Sequence, residues 1–243
     1  MGTPWARQEP AAYRGVVALA YQESLFGGWI LDGGWSGQAS DAPDAGRQPA
    51  VGAVSGLGFR HAHRLYLDQW SWLDLVPGWL PDHAEVFDQL LLAAPWQQRE
   101  RRMHDARVLE PRLVAGWSGE ELARMPPRLA DIRAAMGERY AVEFDSVLVN
   151  LYRDGRDGVA WHGDRVRFRL DQTVVVTVAL GERRRFLLRR GSRGPTAVTL
   201  ISGEGDLIVM GGRCQHDWQH TVPKAARTGA RMSITLRHSV PLP

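Results

Sequence analysis

The sequence predicts an α+β domain: a sandwich or jelly-roll barrel of short strands with helices packed on its outside. Three observations lead there. Beyond residue 141 the hydrophobic pattern turns to period two or to short apolar runs. Gly-rich turn signals (DGRDG, GE, RGSRGP, SGEG, GGR) separate these runs. Upstream, two segments instead repeat their apolar residues at helical spacing.

Taken in order, residues 1–31 carry apolar residues without a clear period, and residues 32–52 are rich in Gly, Ala, Asp, Ser and Pro, the composition of a loop or linker. We therefore divide the chain into an N-terminal segment, 1–58, and a domain, 59–243. HRLYLD (63–68) reads as a strand. PDHAEVFDQLLLAAPW (81–96) reads as an amphipathic helix with Asp82 as N-cap, Val86, Phe87, Leu90 and Leu91 on one face, and Pro95 at its end. PPRLADIRAAMGERYA (126–141) reads as a second helix, with Pro127 near its start and Leu129, Ile132 and Met136 as its stripe. Strands are expected at 146–152, 173–180, 185–190, 197–201, 206–210 and 231–237. There is no internal repeat.

The chain has 243 residues, enough for one large domain or two small ones, and its 44% hydrophobic content suits a globular core. Cys214 is the single cysteine, which excludes an intramolecular disulfide and a Cys-rich zinc module. The opening MGTPWARQEP lacks the apolar region of a secretory signal, and Ala6 stands where a myristoylation motif has Ser or Thr. No uncharged apolar run reaches membrane-spanning length. A soluble, cytoplasmic monomer with no protein partner is expected. Net charge is +3, and Lys224 is the sole lysine. Arginines cluster at 99–107, 153–169 and 183–193, a pattern that serves either a phosphate-binding surface or a solvated, ion-paired one.

The chemistry-bearing residues begin with WHGD. His162 and Asp164 share parity, so on extended backbone both point the same way, and Gly163 puts no side chain between them. A third ligand from a later strand would complete a two-His, one-carboxylate site with open coordination positions. His216, His220 and His238 are the candidates. RMSITLR (231–237) places Met232, Ile234 and Leu236 on one face, and Arg231, Ser233, Thr235 and Arg237 on the other. That polar face fits either an edge strand or a barrel strand lining an anion pocket, where Arg would grip a carboxylate bidentately. In SVLVNLY, Asn150 and Tyr152 share a face and serve either as satisfied core groups or as pocket donors.

NLYRDGRDGVAWHGDR, DWQHTVPK and RMSITLR, in this order, resemble the AlkB family of Fe(II)/2-oxoglutarate dioxygenases, and PWQQRERRMHDARVLEPRL resembles that family's substrate-lid region. The likeness covers roughly residues 60–240. It implies a double-stranded β-helix core with flanking helices and an N-terminal substrate lid. By the resemblance His162, Asp164 and His220 are the Fe(II) ligands, and Asn150, Tyr152, Arg231 and Arg237 hold 2-oxoglutarate. It further implies that O2 and 2-oxoglutarate are consumed to oxidise an N-methyl group on a nucleic-acid base, giving formaldehyde, succinate and CO2. Such a base must be flipped out or single-stranded. Trp117 and Trp161 are candidates to stack on it, Arg99, Arg101, Arg102 and Arg107 to track phosphates, and Met103 and His104 to line the mouth. Where some family members carry an acid two residues after the Asp ligand, this chain has Val166, which leaves base preference open. Two other readings are the same chemistry on a protein or small molecule, and a non-catalytic nucleic-acid binder with structural zinc.

Overall fold

The computed structural model describes residues 57–59, 61–103, 106–164 and 172–239, with 101–103 and 106 as backbone only. The 32–52 loop, His104 and Val166 lie outside the described residues, as do the side chains of Arg101, Arg102 and Met103.

Thirteen strands and three helices follow one another along the chain: β1 (His63–Tyr66), β2 (Ser71–Val76), α1 (His83–Ala93), β3 (Glu100–Met103), β4 (Ala106–Leu109), β5 (Leu113–Ser118), α2 (Pro127–Tyr140), β6 (Ser146–Tyr152), β7 (Val159–His162), β8 (Thr173–Gly181), β9 (Arg184–Arg190), β10 (Thr196–Ser202), β11 (Leu207–Gly212), α3 (Cys214–Asp217), β12 (Trp218–Val222) and β13 (Arg231–Arg237). A 3-10 turn, Gly119–Arg124, sits between β5 and α2. Seven strands make one sheet in the order β1-β2-β11-β8-β13-β6-β5, and four make a second in the order β10-β9-β12-β7. β3 and β4 form a separate hairpin. This is the jelly-roll core expected, with its helices outside.

Two apolar layers follow from strand parity. Val147, Val149 and Leu151 of β6, Val176, Val178 and Leu180 of β8, and Met232, Ile234 and Leu236 of β13 pack with the α1 and α2 stripes. Leu129, Ile132 and Met136 of α2 are wholly buried there, each contributing about 1.5–3 kcal/mol by leaving water. The opposite face of the large sheet meets the small sheet through Tyr152, Val175, Phe186, Leu188, Ile208 and Met210, among others. β8 is covered on both faces, which explains why its sequence reads as a continuous apolar run.

Element ends differ from the sequence expectation where polar chemistry intervenes. The first helix begins at His83; Asp82 holds the N-cap position, but its carboxylate accepts from Arg128 Nη2 at 2.8 Å instead of capping. The second begins with Pro127 in its first turn and ends at Ala141 in the left-handed conformation. β2, β5, β7, β12 and the β3–β4 hairpin were not expected from the pattern. β2 carries a buried Asp74, and β5 an internal glycine, Gly116, whose added Cβ would lie 3.3 Å from Leu148 Cδ1.

Candidate metal centre and active-site cavity

β7 and β12 are neighbours in the small sheet, and their antiparallel register sets His162 directly opposite His220. Asp164 follows β7 by two residues. One ligand atom from each of His162, Asp164 and His220 lies within 4.8 Å of the others, the one such cluster of three among the described residues. His220 Nε2 is 3.6 Å from Asp164 Oδ2. His162 Nδ1 is bonded to the Ala160 carbonyl at 2.8 Å, so Nδ1 carries the proton and Nε2 is left to ligate. Phe186 stacks on His220 at 5.2 Å and fixes its ring plane.

Gly163 is dictated by the approach of α3. A Cβ there would stand 2.6 Å from the Gln215 carbonyl oxygen. That proximity lets the Asp164 backbone N–H donate to Gln215 Oε1 at 2.7 Å, which sets the carboxylate's position. Arg237 Nη2 contacts Asp164 Oδ1. Burial pushes the Asp164 carboxyl up, but Arg237, His220 and His162 outweigh it and the net displacement is downward. Burial drives His220 down to about 3 against the attraction of Asp164. An ionised carboxylate and neutral imidazoles are the forms a divalent metal requires. The donor set, with nitrogen and oxygen ligands and no thiolate, fits Fe(II).

The cluster opens on a cavity of about 530 Å³, also lined by Asn150, Tyr152, Thr177, Ser233 and Thr235. These are the inward members of β6, β8 and β13, so the polar parity of RMSITLR faces a cavity, not solvent. Arg231 is fully buried. It donates to Ser202 O at 3.4 Å, Ser202 Oγ at 3.1 Å and Ser233 Oγ at 2.7 Å, all neutral, and lies 5.7 Å from the Tyr152 ring. Burial lowers its pKa to about 10. A desolvated guanidinium with neutral hydrogen-bond partners calls for an anion.

The other expected site residues divide. Asn150 lines the cavity and accepts from Arg112 Nε at 2.9 Å. Trp161 lines it too, with the Arg189 guanidinium 4.4 Å from its ring. Arg99 is exposed at its edge. Trp117 is placed elsewhere: it is 6% exposed, packs in the helix-side core, and borders a separate groove with Met125 and Pro126. Its β5 parity turns the indole away from the cavity, so the tryptophan expected to stack on a base is a core residue. Exposed Arg107 pairs with Glu100 at 3.6 Å. His238 is buried and its Nε2 accepts from the Val174 N–H at 3.0 Å, a structural role. Cys214 is buried and its thiol is pushed up by burial, which removes it as a nucleophile.

Sequence reasoning missed Glu110 and Arg112, which line the cavity, and Arg184. Arg184 Nη1 donates to the Asp154 carbonyl at 3.3 Å, and Nη2 to those of Asp157 at 2.9 Å and Pro223 at 2.6 Å. It thereby ties the β6–β7 loop to the segment after β12, the strands that carry the two histidines. Nothing in RRRF distinguishes this arginine from its exposed neighbour Arg185.

A jelly roll whose small sheet presents two histidines and a carboxylate beside a buried arginine defines a metal-dependent oxygenase of the 2-oxoglutarate type. The family model described as 2OG-Fe(II) oxygenase superfamily matches residues 75–237. The chain is 31% identical over 191 residues to the Bos taurus alpha-ketoglutarate-dependent dioxygenase alkB homolog 3, covering 70% of this chain and 66% of that protein. It is 26% identical over 189 residues to the Arabidopsis thaliana DNA oxidative demethylase ALKBH2, covering 62% and 60%. The solved structure of OsALKBH1 superposes with a TM-score of 0.51 at 15% identity, over 72% of this chain and 99% of that one, a likeness of fold. The chain belongs to the AlkB family of the 2OG-Fe(II) oxygenase superfamily. It spans just under two thirds of the length of the bovine relative. No helix among the described residues is long and apolar enough to cross a membrane.

Proposed function

We propose that the protein is an Fe(II)- and 2-oxoglutarate-dependent dioxygenase that oxidatively demethylates N-alkylated bases in single-stranded or base-flipped nucleic acid. The observation that carries this reading is the convergence of His162, Asp164 and His220 on one cavity with buried Arg231 behind its polar wall. The three ligands would hold the metal. Fe(II), with 2-oxoglutarate and O2, supplies the oxidising power: one oxygen atom ends in succinate, the other on the substrate methyl, and CO2 is lost. The hydroxymethyl group then departs as formaldehyde and the base regains its unmodified form.

The chain's residues do the positioning. Arg231 would neutralise one carboxylate of the co-substrate, with Tyr152 and Asn150 as its polar neighbours. Arg237, already against Asp164, would serve the carboxylate nearer the metal. Trp161, braced by Arg189, offers an aromatic wall next to His162. Exposed Arg99 and Arg107 offer phosphate contacts. A division at residue 58, a cytoplasmic location and a monomeric state belong to the same proposal, supported by the composition and by the single buried cysteine.

The test is formaldehyde release by the full chain with Fe(II), ascorbate and 2-oxoglutarate. Oligonucleotides carrying N1-methyladenine or N3-methylcytosine are compared with unmethylated controls. Release that requires both co-substrate and methylated base is expected. Succinate formation without formaldehyde would move the substrate to another class.

A further inference from the structure

β7 is the least supported strand of the metal centre. It ends the small sheet, with β12 on one side and no strand on the other among the described residues. Its ladder with β12 has two registered pairs, His162 with His220 and Val159 with Val222, and the register shifts between them. β12 is better held, with four consecutive pairs to β9. Side chains alternate along a strand, so a slip of one residue in β7 would turn His162 away from His220. A short, irregular ladder at a sheet edge guards weakly against that slip.

Arg184 supplies what the ladder lacks. It opens β9 on the same buried face as Phe186, the ring that stacks on His220. Its guanidinium reaches across the end of the sheet. Nη2 donates to Pro223 O, one residue past β12, at 2.6 Å, and to Asp157 O, in the loop that enters β7, at 2.9 Å. Nη1 donates to Asp154 O in the same loop at 3.3 Å. One side chain thus spans β9, the end of β12 and the approach to β7. The loop is shaped to receive it. Arg153 grips the Asp157 carboxylate through Nε and Nη2, and Arg156 takes that of Asp154, so both residues offer Arg184 their carbonyls. Gly155 lies against Ala225, where an added Cβ would stand 2.0 Å from the carbonyl oxygen, and Ala225 N–H donates to Gly155 O at 2.9 Å. Arg184 is 4% exposed, so its charge-assisted bonds are shielded from water.

We propose that Arg184 is a positioning residue: it braces the edge strand β7 against β12 and β9, sets where His162 stands relative to His220, and thereby raises affinity for the metal. The inference rests on the metal-site part of the reading above and is independent of the substrate. The brace acts at the Val159–Val222 end of the ladder, three residues or about 10 Å from His162, so it reaches the ligands through the strands. A lysine ammonium standing where Nη2 stands would meet Pro223 O and Asp157 O but not Asp154 O, and should keep part of the effect.

The test is Co(II) titration of the full chain, since the visible absorption of Co(II) reports its coordination geometry. Arg184→Met is expected to weaken Co(II) binding about tenfold and to change the absorption bands, with Arg184→Lys between it and the unaltered protein. Trp117→Ala, which loosens the helix-side core, serves as the control and should keep affinity and spectrum in the folded protein. Amide hydrogen exchange of the metal-free proteins is the second readout. Both Arg184 variants should exchange faster in β7 and the loop before it, while β8 keeps its protection. Native Co(II) affinity and spectrum in the Arg184 variants would overturn the proposal. So would an equal loss in Trp117→Ala, or exchange that rises as much in β8 as in β7, since affinity would then follow general stability. If Arg184→Met does not fold, the lysine variant decides by the same two measurements. Absence of Co(II) binding by the unaltered protein would sink the metal reading, and the exchange comparison, made without metal, would still decide whether Arg184 braces β7.

Discussion

His162 and His220 face each other across adjacent antiparallel strands, with their ring centroids 4.3 Å apart. They are 58 positions apart in sequence, and only the β7–β12 register brings them together. Replacing either with Ala, or Asp164 with Ala, is expected to lower Fe(II) affinity and formaldehyde release by about two orders of magnitude or more while the fold persists. Metal titration and circular dichroism on the same samples check both parts. Full activity in any of the three purified variants would remove that residue from the ligand set.

Gly163→Ala tests the geometry beneath the cluster. The added methyl carbon would meet the Gln215 carbonyl at 2.6 Å, so α3 or the Asp164 backbone must move. A loss of about 1–3 kcal/mol in unfolding free energy is expected, together with weakened metal binding. Denaturant unfolding with intact stability and intact metal affinity would show that α3 yields freely.

Arg231→Met separates stability from function. The native guanidinium is wholly buried with neutral hydrogen-bond partners, so an apolar side chain of similar length should leave the melting temperature of the metal-free protein unchanged or raised. The KM for 2-oxoglutarate should rise by about a hundredfold, the equivalent of a lost charge-assisted pair. A falling melting temperature with an unchanged KM would assign Arg231 to structure.

Trp117→Ala should behave in the opposite way. Its indole fills the core between the large sheet and the helices, so truncation is expected to destabilise by about 3–5 kcal/mol. Affinity for methylated oligonucleotides should not change in the fraction that remains folded. A selective loss of oligonucleotide binding at full stability would return Trp117 to the substrate site.

The metal-free protein should lose stability as pH falls from about 6.5 toward about 3. His220 is buried neutral, with its pKa lowered to about 3 from the ordinary 6.5. Between those values the unfolded chain binds the proton and the folded chain does not, so stability falls as pH falls across that window. His220→Gln should flatten this part of a stability-against-pH curve, measured by urea unfolding.

Parity was legible without coordinates. β6 and β13 alternate cleanly, and a strand with one face under helices must turn Asn150, Tyr152, Arg231 and Arg237 the other way. The two helices were legible because their apolar stripes recur at helical spacing and proline marks their ends. β7 and β12 were not, since strands that carry ligands trade apolar alternation for His, Gln and Trp, and short polar strands look like loops.

By itself the sequence determined the order of the motifs, the inward faces of the long strands, and the placing of His162 and Asp164 on one side of an extended segment. These are properties of local periodicity and residue type. The tertiary structure decided which candidate histidine faces His162, that Trp117 belongs to the core while Trp161 meets the cavity, and that Glu110 and Arg112 join the site from the segment between β4 and β5. Those outcomes depend on strand register and on packing between segments distant in the chain, and neither is written in any local window of residues.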